Sequence, residues 1–158
     1  MRLSMVAIAA AAVLAATSAA SASPPAEAAG ALDFQVVSLT ETNQADGNTF
    51  FQQTNVGTLT GTFTGTFETH VAIVRHEDGT FRLEGTRTCA CTVDGRTGTV
   101  IFRIVGGGVF GISFFGRLVV LSASDALEGL HSVQSFEGTF VGPGHGVGSY
   151  EGTYHFDA

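Results

Sequence analysis

Four charged residues lie in alternating, strand-like segments, where their side chains are candidates for chemistry. Arg103 and Arg117 each alternate with apolar residues, whereas Glu137 and Glu151 each alternate with Ser and Thr. Burying an arginine is costly unless it is paired. If all four face the inside of a closed sheet, they form a ligand-orienting or acid–base cluster. If they face outwards, they are solvated charges, and a partner covers the apolar residues of those strands.

A second group of candidates is aromatic. Tyr150, Tyr154 and Phe156 share one face of the last predicted strand, where they form either a wall of a ligand site or part of the core. A binding site for a small apolar molecule inside a barrel would draw on such residues. The candidates for ligand contact are Phe63, Phe67, Phe102, Phe115, Tyr150 and Tyr154.

The two cysteines, Cys89 and Cys91, are separated by one residue. On a strand they share a face, with Cα atoms about 6.6 Å apart at a rise of about 3.3 Å per residue. That separation is near the upper limit for a disulfide. The sequence leaves three interpretations open: a strained or intermolecular disulfide, two buried free thiols, or a metal or redox role. The usual redox dithiol has two intervening residues, so the redox signal is weak.

Other catalytic and cofactor signatures are missing from the sequence. The five histidines lack the spacing that would place two metal ligands side by side, and no Gly-x-Ser-x-Gly elbow occurs. The glycines of residues 106–108 precede no helix, so they do not form a phosphate loop. The sequence therefore predicts no metal and no cofactor, and it leaves open whether the protein is an enzyme.

The N-terminal residues predict export. Arg2 precedes an apolar stretch from Leu3 to Ala16, and Ala20-Ser21-Ala22 matches a signal-peptidase site. The stretch is shorter than the roughly 20 residues that span a bilayer, so we expect a signal peptide over 1–22 and no membrane span. Residues 23–31 are rich in Pro and Ala and predict a flexible linker, followed by one domain over 32–158. The expected location is extracellular.

Composition excludes several partners and one type of catalysis. The chain has no lysine, and its formal net charge is −7. Nucleic acid and anionic lipid surfaces need dense positive charge, so neither is an expected partner. Schiff-base chemistry on a lysine side chain is also excluded.

The spacing of apolar residues predicts the elements that position these candidates. Between residues 57 and 76, Gly and apolar residues alternate with Thr and other polar residues, which is typical of a strand with two different faces. Short turns, such as the one at Asp78-Gly79, favour antiparallel neighbours. The predicted strands are 34–42, 49–55, 57–76, 80–93, 99–105, 111–121, 130–141 and 147–156. We therefore predict an all-β fold, a single eight-stranded antiparallel up-and-down β-barrel, with a β-sandwich as the alternative.

Several segments resemble a known family. The residues that carry the resemblance are 57–68, 91–103, 124–140 and 148–156. They resemble the small secreted barrel proteins of actinobacteria that share the allene oxide cyclase-like, dirigent-like (calycin-type) barrel. Two departures lie in the turn before the penultimate strand, where Ala123-Ser124-Asp125 replaces a Gly-Thr-Gly and His131 stands where Arg is common.

The resemblance implies a fold more than an activity. The barrel hosts lipid-epoxide cyclases, proteins that steer phenoxy-radical coupling, polyketide cyclases and many members without a known role, so fold does not determine function. We expect either non-catalytic binding of a small apolar molecule or a structural or surface role, in which a homo-oligomer would cover exposed apolar faces. The alternative is a cofactor-independent cyclase or isomerase.

Overall fold

A computed structural model of the protein describes residues 23–157. Eight antiparallel strands follow one another around a closed barrel, and β1 pairs with β8 to complete the ring. This confirms the predicted barrel and excludes the sandwich. The strands are β1 (Ala26–Ala45), β2 (Asn48–Gly61), β3 (Thr64–Arg75), β4 (Thr80–Val93), β5 (Arg96–Val109), β6 (Ser113–Ala123), β7 (Leu130–Gly142) and β8 (His145–Phe156). No helix within 23–157 is long and apolar enough to cross a membrane.

The alternation of residue types explains why these segments form strands with one buried face. In β3, Phe67, Val71 and Ile73 are buried, whereas Glu68 and His70 between them are exposed. Successive side chains of a strand point to opposite faces, so the apolar set fills the barrel and the polar set meets solvent. A similar pattern occurs in the other strands, except that residues 37–45 of β1 are exposed on both faces, and the core is the barrel interior.

The predicted linker 23–31 is wrong for most of its length, because β1 begins at Ala26. Residues 26–31 pair with β8, and residues 30–31 also pair with the end of β2. Ala28 is 2% exposed, so even a small side chain is packed here. Ala and Pro carry little strand preference, and pairing with neighbouring strands overrides it. The predicted signal peptide, residues 1–22, lies outside the described residues; it and export stay predictions.

The alternating segment 57–76 is divided between two strands, which differs from the prediction of one long strand. β2 runs on to Gly61, and the chain turns at residues 62–63 before β3 begins. Gly61 has φ +97°, a backbone conformation that favours glycine. The Thr64 hydroxyl donates to the Gly61 carbonyl at 3.0 Å and closes the turn. The period-2 pattern continues through the turn and hides it from sequence analysis.

The two ends of the barrel differ. The closed end, as we call it, carries the β2–β3 and β4–β5 turns and a single turn of 3-10 helix, Asp125–Leu127. The open end carries the other turns. There β1 extends past its last pair with β8, Gln35 with His145, so residues 36–45 form a hairpin with β2 that projects beyond β8.

Apolar side chains also lie on the outer surface of β5, β6 and β7. The exposed residues there include Val105, Phe115, Val119, Leu121 and Val133. An oligomer that covers this surface stays a prediction.

Candidate ligand-binding site

A cavity of about 140 Å³ lies inside the barrel towards the open end. Its wall is mainly apolar and includes side chains from β1, β3, β4, β6 and β7, with Phe110 and Gly111 near the β5–β6 turn. Leu39, on the projecting part of β1, also contributes to the wall. The polar side chains of the wall are Gln53, Asn55, Thr69 and Arg87.

Three of these polar residues form a row across neighbouring strands. Asn55 of β2 is directly opposite Thr69 of β3, and Thr69 is directly opposite Arg87 of β4. All three are buried, and Arg87 is only 3% exposed. We call Asn55, Thr69 and Arg87 the polar row. Strand register alone brings these distant residues together on the inner face.

Arg87 is held in place by three contacts, the longest of them with the Phe136 ring, whose centroid is 5.9 Å from the guanidinium carbon. Its Nε donates to the Thr69 hydroxyl at 3.0 Å. Its guanidinium lies over the Phe67 ring, 4.1 Å from the centroid, which is a cation–π arrangement. The guanidinium is therefore fixed in orientation, with its charge at the cavity wall.

The polar row has unsatisfied hydrogen-bonding atoms. Arg87 Nη1 and Asn55 Oδ1 are buried and have no hydrogen-bond partner among residues 23–157. No carboxylate of that part of the chain forms an ion pair with Arg87. Burial lowers the pKa of Arg87 to about 9, so the side chain stays charged at neutral pH. A buried charge without a protein partner is costly, so these two atoms are candidates for hydrogen bonds to a bound molecule.

The chemistry available at the cavity wall depends on its polar side chains. Among the described residues that line it, there is no His, Cys, Asp, Glu or Tyr. The wall can supply a positive charge, hydrogen-bond donors from Arg87 and an acceptor from Asn55. This arrangement can bind and orient an oxygen-bearing molecule.

The charged residues singled out in the sequence lie elsewhere. Arg103 binds Glu84 on the outer surface, with 2.6 Å between Nη2 and Oε1. Arg117, Glu137 and Glu151 are also exposed on the outside. None of these four candidates faces the cavity, and a catalytic role for them stays a prediction.

The aromatic candidates are divided among three places. Four of them, Phe63, Phe102, Tyr150 and Tyr154, are buried in the closed end. Phe67 packs beneath the Arg87 guanidinium, and Phe115 is 59% exposed on the outer surface. The aromatic residues that do line the cavity are Phe34, Phe81, Phe110, Phe114, Phe136 and Phe140.

Hydrogen bonds of two tyrosines complete the closed end. The Tyr150 hydroxyl accepts from the Phe63 amide at 2.9 Å and donates to the Thr60 carbonyl at 3.0 Å. Burial raises the pKa of Tyr150. The Tyr154 hydroxyl donates to Asp94 at 2.7 Å, and this hydrogen bond is the main reason that the pKa of Tyr154 is raised.

Cys89 and Cys91 form a disulfide in the closed end. Both residues are buried, at 0% and 1% exposure, and their Cα atoms are 5.4 Å apart. Neither a thiolate for metal binding nor an accessible redox centre is present at these positions. The pair instead fills core volume between the inner faces of β3, β4 and β5.

Sequence analysis did not single out the polar row. The sequence held one indication of Arg87. It lies an even number of residues from Phe81, Leu83 and Cys89 in β4, so it shares the inner face of the strand with them. A charge in a core register indicates a functional site or a buried ion pair. The identity of its neighbours depends on strand register, which the sequence did not give.

Comparisons with known proteins extend the fold argument. No family model matches the chain, and no curated protein matches it. A crystal structure of a protein of unknown function from the DUF3224 family of Shewanella oneidensis MR-1 is similar, with a TM-score of 0.63 and 16% identity over 85% of this chain and 99% of that one. A pterocarpan synthase dirigent protein is similar with a TM-score of 0.53 and 9% identity, over 89% of this chain and 94% of that one. At these identities the likeness concerns the fold alone, and this chain has a dirigent-like barrel.

Proposed function

We propose that the protein binds a small, mainly apolar molecule with an anionic oxygen, and that Arg87 is the anchor for that oxygen. The observation that carries this proposal is the buried, charged and unpaired Arg87 guanidinium in the wall of an apolar cavity. A carboxylate, phenolate or similar group would supply the acceptor that Nη1 lacks. Hydrogen bonds to charged groups contribute about 1.5–3 kcal/mol, which corresponds to about 10- to 100-fold in affinity.

The size of the cavity limits the buried part of the ligand. An apolar cavity of about 150 Å³ in another protein holds one benzene molecule. The cavity of about 140 Å³ would therefore hold a single ring or a short acyl chain. Because the cavity lies towards the open end, a larger ligand could extend past Leu39 and Phe110 into solvent.

Two competing functions have weaker support. A structural barrel filled by its own side chains would need neither a cavity nor a buried unpaired charge. A cofactor-independent cyclase or isomerase would gain from an acid or base beside the substrate, and no His, Asp, Glu or Tyr belongs to the described cavity wall. The cyclase alternative, with Glu137, Glu151, Arg103 and Arg117 as its candidates, stays a prediction. If catalysis takes place in this cavity, Arg87 would contribute by positioning and charge stabilisation.

A matched pair of probes tests the role of charge. The probes are 3-phenylpropanoate and 3-phenylpropanol, which share an apolar body and differ in the oxygen head group. We expect the carboxylate to bind at least about 10-fold more tightly, and Arg87→Gln to remove that difference while leaving weak binding of the alcohol. Affinities can be measured by calorimetry and ligand-observed NMR.

Arg103→Gln is the matched control, because Arg103 is an exposed arginine that pairs with Glu84 outside the barrel. This variant should bind both probes as the parent protein does. Equal affinity of the parent protein for the two probes would overturn the role of Arg87. The same conclusion follows if Arg103→Gln weakens carboxylate binding as much as Arg87→Gln does.

A further inference from the structure

Two histidines lie side by side on the outer surface at the closed end. His131 of β7 and His155 of β8 are directly opposite each other in the strand register. Their rings are stacked, with centroids 4.9 Å apart and an angle of 13° between the planes. Both side chains point away from the barrel interior, so they are separate from the cavity and its polar row.

Asp157 adds a carboxylate to this pair. It follows His155 by two residues and therefore lies on the same outer face. Its amide donates to the Gly129 carbonyl at 2.9 Å, which continues the β7–β8 pairing beyond the strand ends. Each Asp157 carboxylate oxygen lies 3.1 Å from His131 Nε2. One donor atom from each of the three residues lies within 4.8 Å of the other two.

This donor set suits a zinc ion. Zn²⁺ binds imidazole nitrogens and carboxylate oxygens at about 2.0–2.2 Å, so neighbouring donors in a tetrahedral site are about 3.3 Å apart. His131 and Asp157 already have nearly this separation. The His131 and Asp157 side chains are 54% and 64% exposed and His155 is half-buried, so rotation of His131 and Asp157 can bring their donors and that of His155 together. A water molecule can occupy the fourth position.

We propose that His131, His155 and Asp157 form a zinc-binding site, which joins β7, β8 and the residue that follows β8. Among residues 23–157 it is the only group of three such donors that converges in this way. Two other histidines pair with a carboxylate, His70 with Glu68 and His145 with Asp33, but each pair has a single imidazole. These pairs serve as controls, because they test whether one imidazole and one carboxylate bind zinc without a second imidazole.

Zinc titration of the protein without a polyhistidine tag tests the site. Calorimetry should detect one equivalent of Zn²⁺ per chain. His131→Ala and His155→Ala should each weaken binding by about 10-fold or more, and Asp157→Asn should weaken it less. His70→Ala should bind zinc as the parent protein does. A parent protein that binds no zinc would overturn the proposal, as would equal losses in His70→Ala and His155→Ala.

Two further measurements separate a defined site from loose association of zinc with surface groups. Co²⁺ can replace Zn²⁺ and absorbs visible light strongly when it is four-coordinate, so its spectrum should appear with the parent protein and disappear with His155→Ala. Zinc should also raise the melting temperature of the parent protein by more than that of His155→Ala, because the variant binds zinc more weakly. A melting temperature that rises equally in both proteins would contradict the site.

Discussion

The closed end and the open end of this barrel are built from the same eight strands, yet only one of them is filled. At the closed end, Phe63 is fully buried among Phe102, Tyr150 and Tyr154, and the tyrosine hydroxyls have hydrogen-bond partners. At the open end, a cavity remains and Arg87 has a buried nitrogen without a partner. Satisfied polar atoms are what stability alone requires. The ligand site that we propose lies at the end of the barrel that has the unsatisfied atoms.

The largest expected contrast is in aromatic packing. Phe63→Ala should lower the free energy of unfolding by about 3–5 kcal/mol, because it leaves a cavity in a fully buried cluster. Phe110→Ala at the rim of the open end removes the same side chain from a partly buried position and should cost about 1–2 kcal/mol. Urea unfolding of both variants gives the comparison. Equal losses would mean that the two ends are packed alike.

A smaller effect is expected from a single hydroxyl at the closed end. Tyr150→Phe keeps the ring but leaves the buried Phe63 amide without its acceptor, so we expect a loss of about 1–3 kcal/mol. Tyr154→Phe is the control, since its partner Asp94 is exposed and can be hydrated instead. Chemical denaturation should show a smaller loss for Tyr154→Phe. A larger loss of stability in Tyr154→Phe than in Tyr150→Phe would mean that the hydrogen bonds of the Tyr150 hydroxyl do not stabilise the closed end as we expect.

Much of the fold was predictable because its signal is local. Alternation of apolar and polar residues defined most strands, and short turns such as Asp78-Gly79 favoured an antiparallel meander. The predicted strand boundaries were wrong where the local sequence pattern and the pairing with neighbouring strands disagree. The first residues of β1 are Ala-rich and have no clear alternation, yet pairing with β8 makes them a strand. The turn after Gly61 was hidden because the alternation continues through it.

The candidate site was less predictable because it depends on which residues become neighbours. The register places Thr69 between Asn55 and Arg87, and it places His131 opposite His155. Neither grouping has a sequence spacing that marks it. The choice of Arg103 as a candidate followed from its apolar neighbours, but those residues lie on the outer surface, where Val105 is also exposed. The alternation of apolar residues alone therefore did not show which face of a strand points into the barrel.

Replacing a buried polar side chain by an apolar one should change the free energy of unfolding in opposite directions at the two ends. Tyr150→Phe removes a satisfied group and should destabilise the protein. Arg87→Met instead removes a buried charge that has no ionic partner, and it should raise the free energy of unfolding of the ligand-free protein by about 1 kcal/mol. The gain is small because the hydrogen bond to Thr69 and the contact with Phe67 are lost as well.

Denaturant unfolding without ligand measures this gain, and Arg103→Met is the control. Arg103 is exposed, so its replacement should change the stability by no more than about 0.5 kcal/mol. Arg87→Met should also lose the preference for 3-phenylpropanoate over 3-phenylpropanol, so that stability and binding move in opposite directions. A clear loss of stability in Arg87→Met would instead identify Arg87 as a structural residue of the core. The open end would then resemble the closed end, because the buried polar groups of both would serve folding.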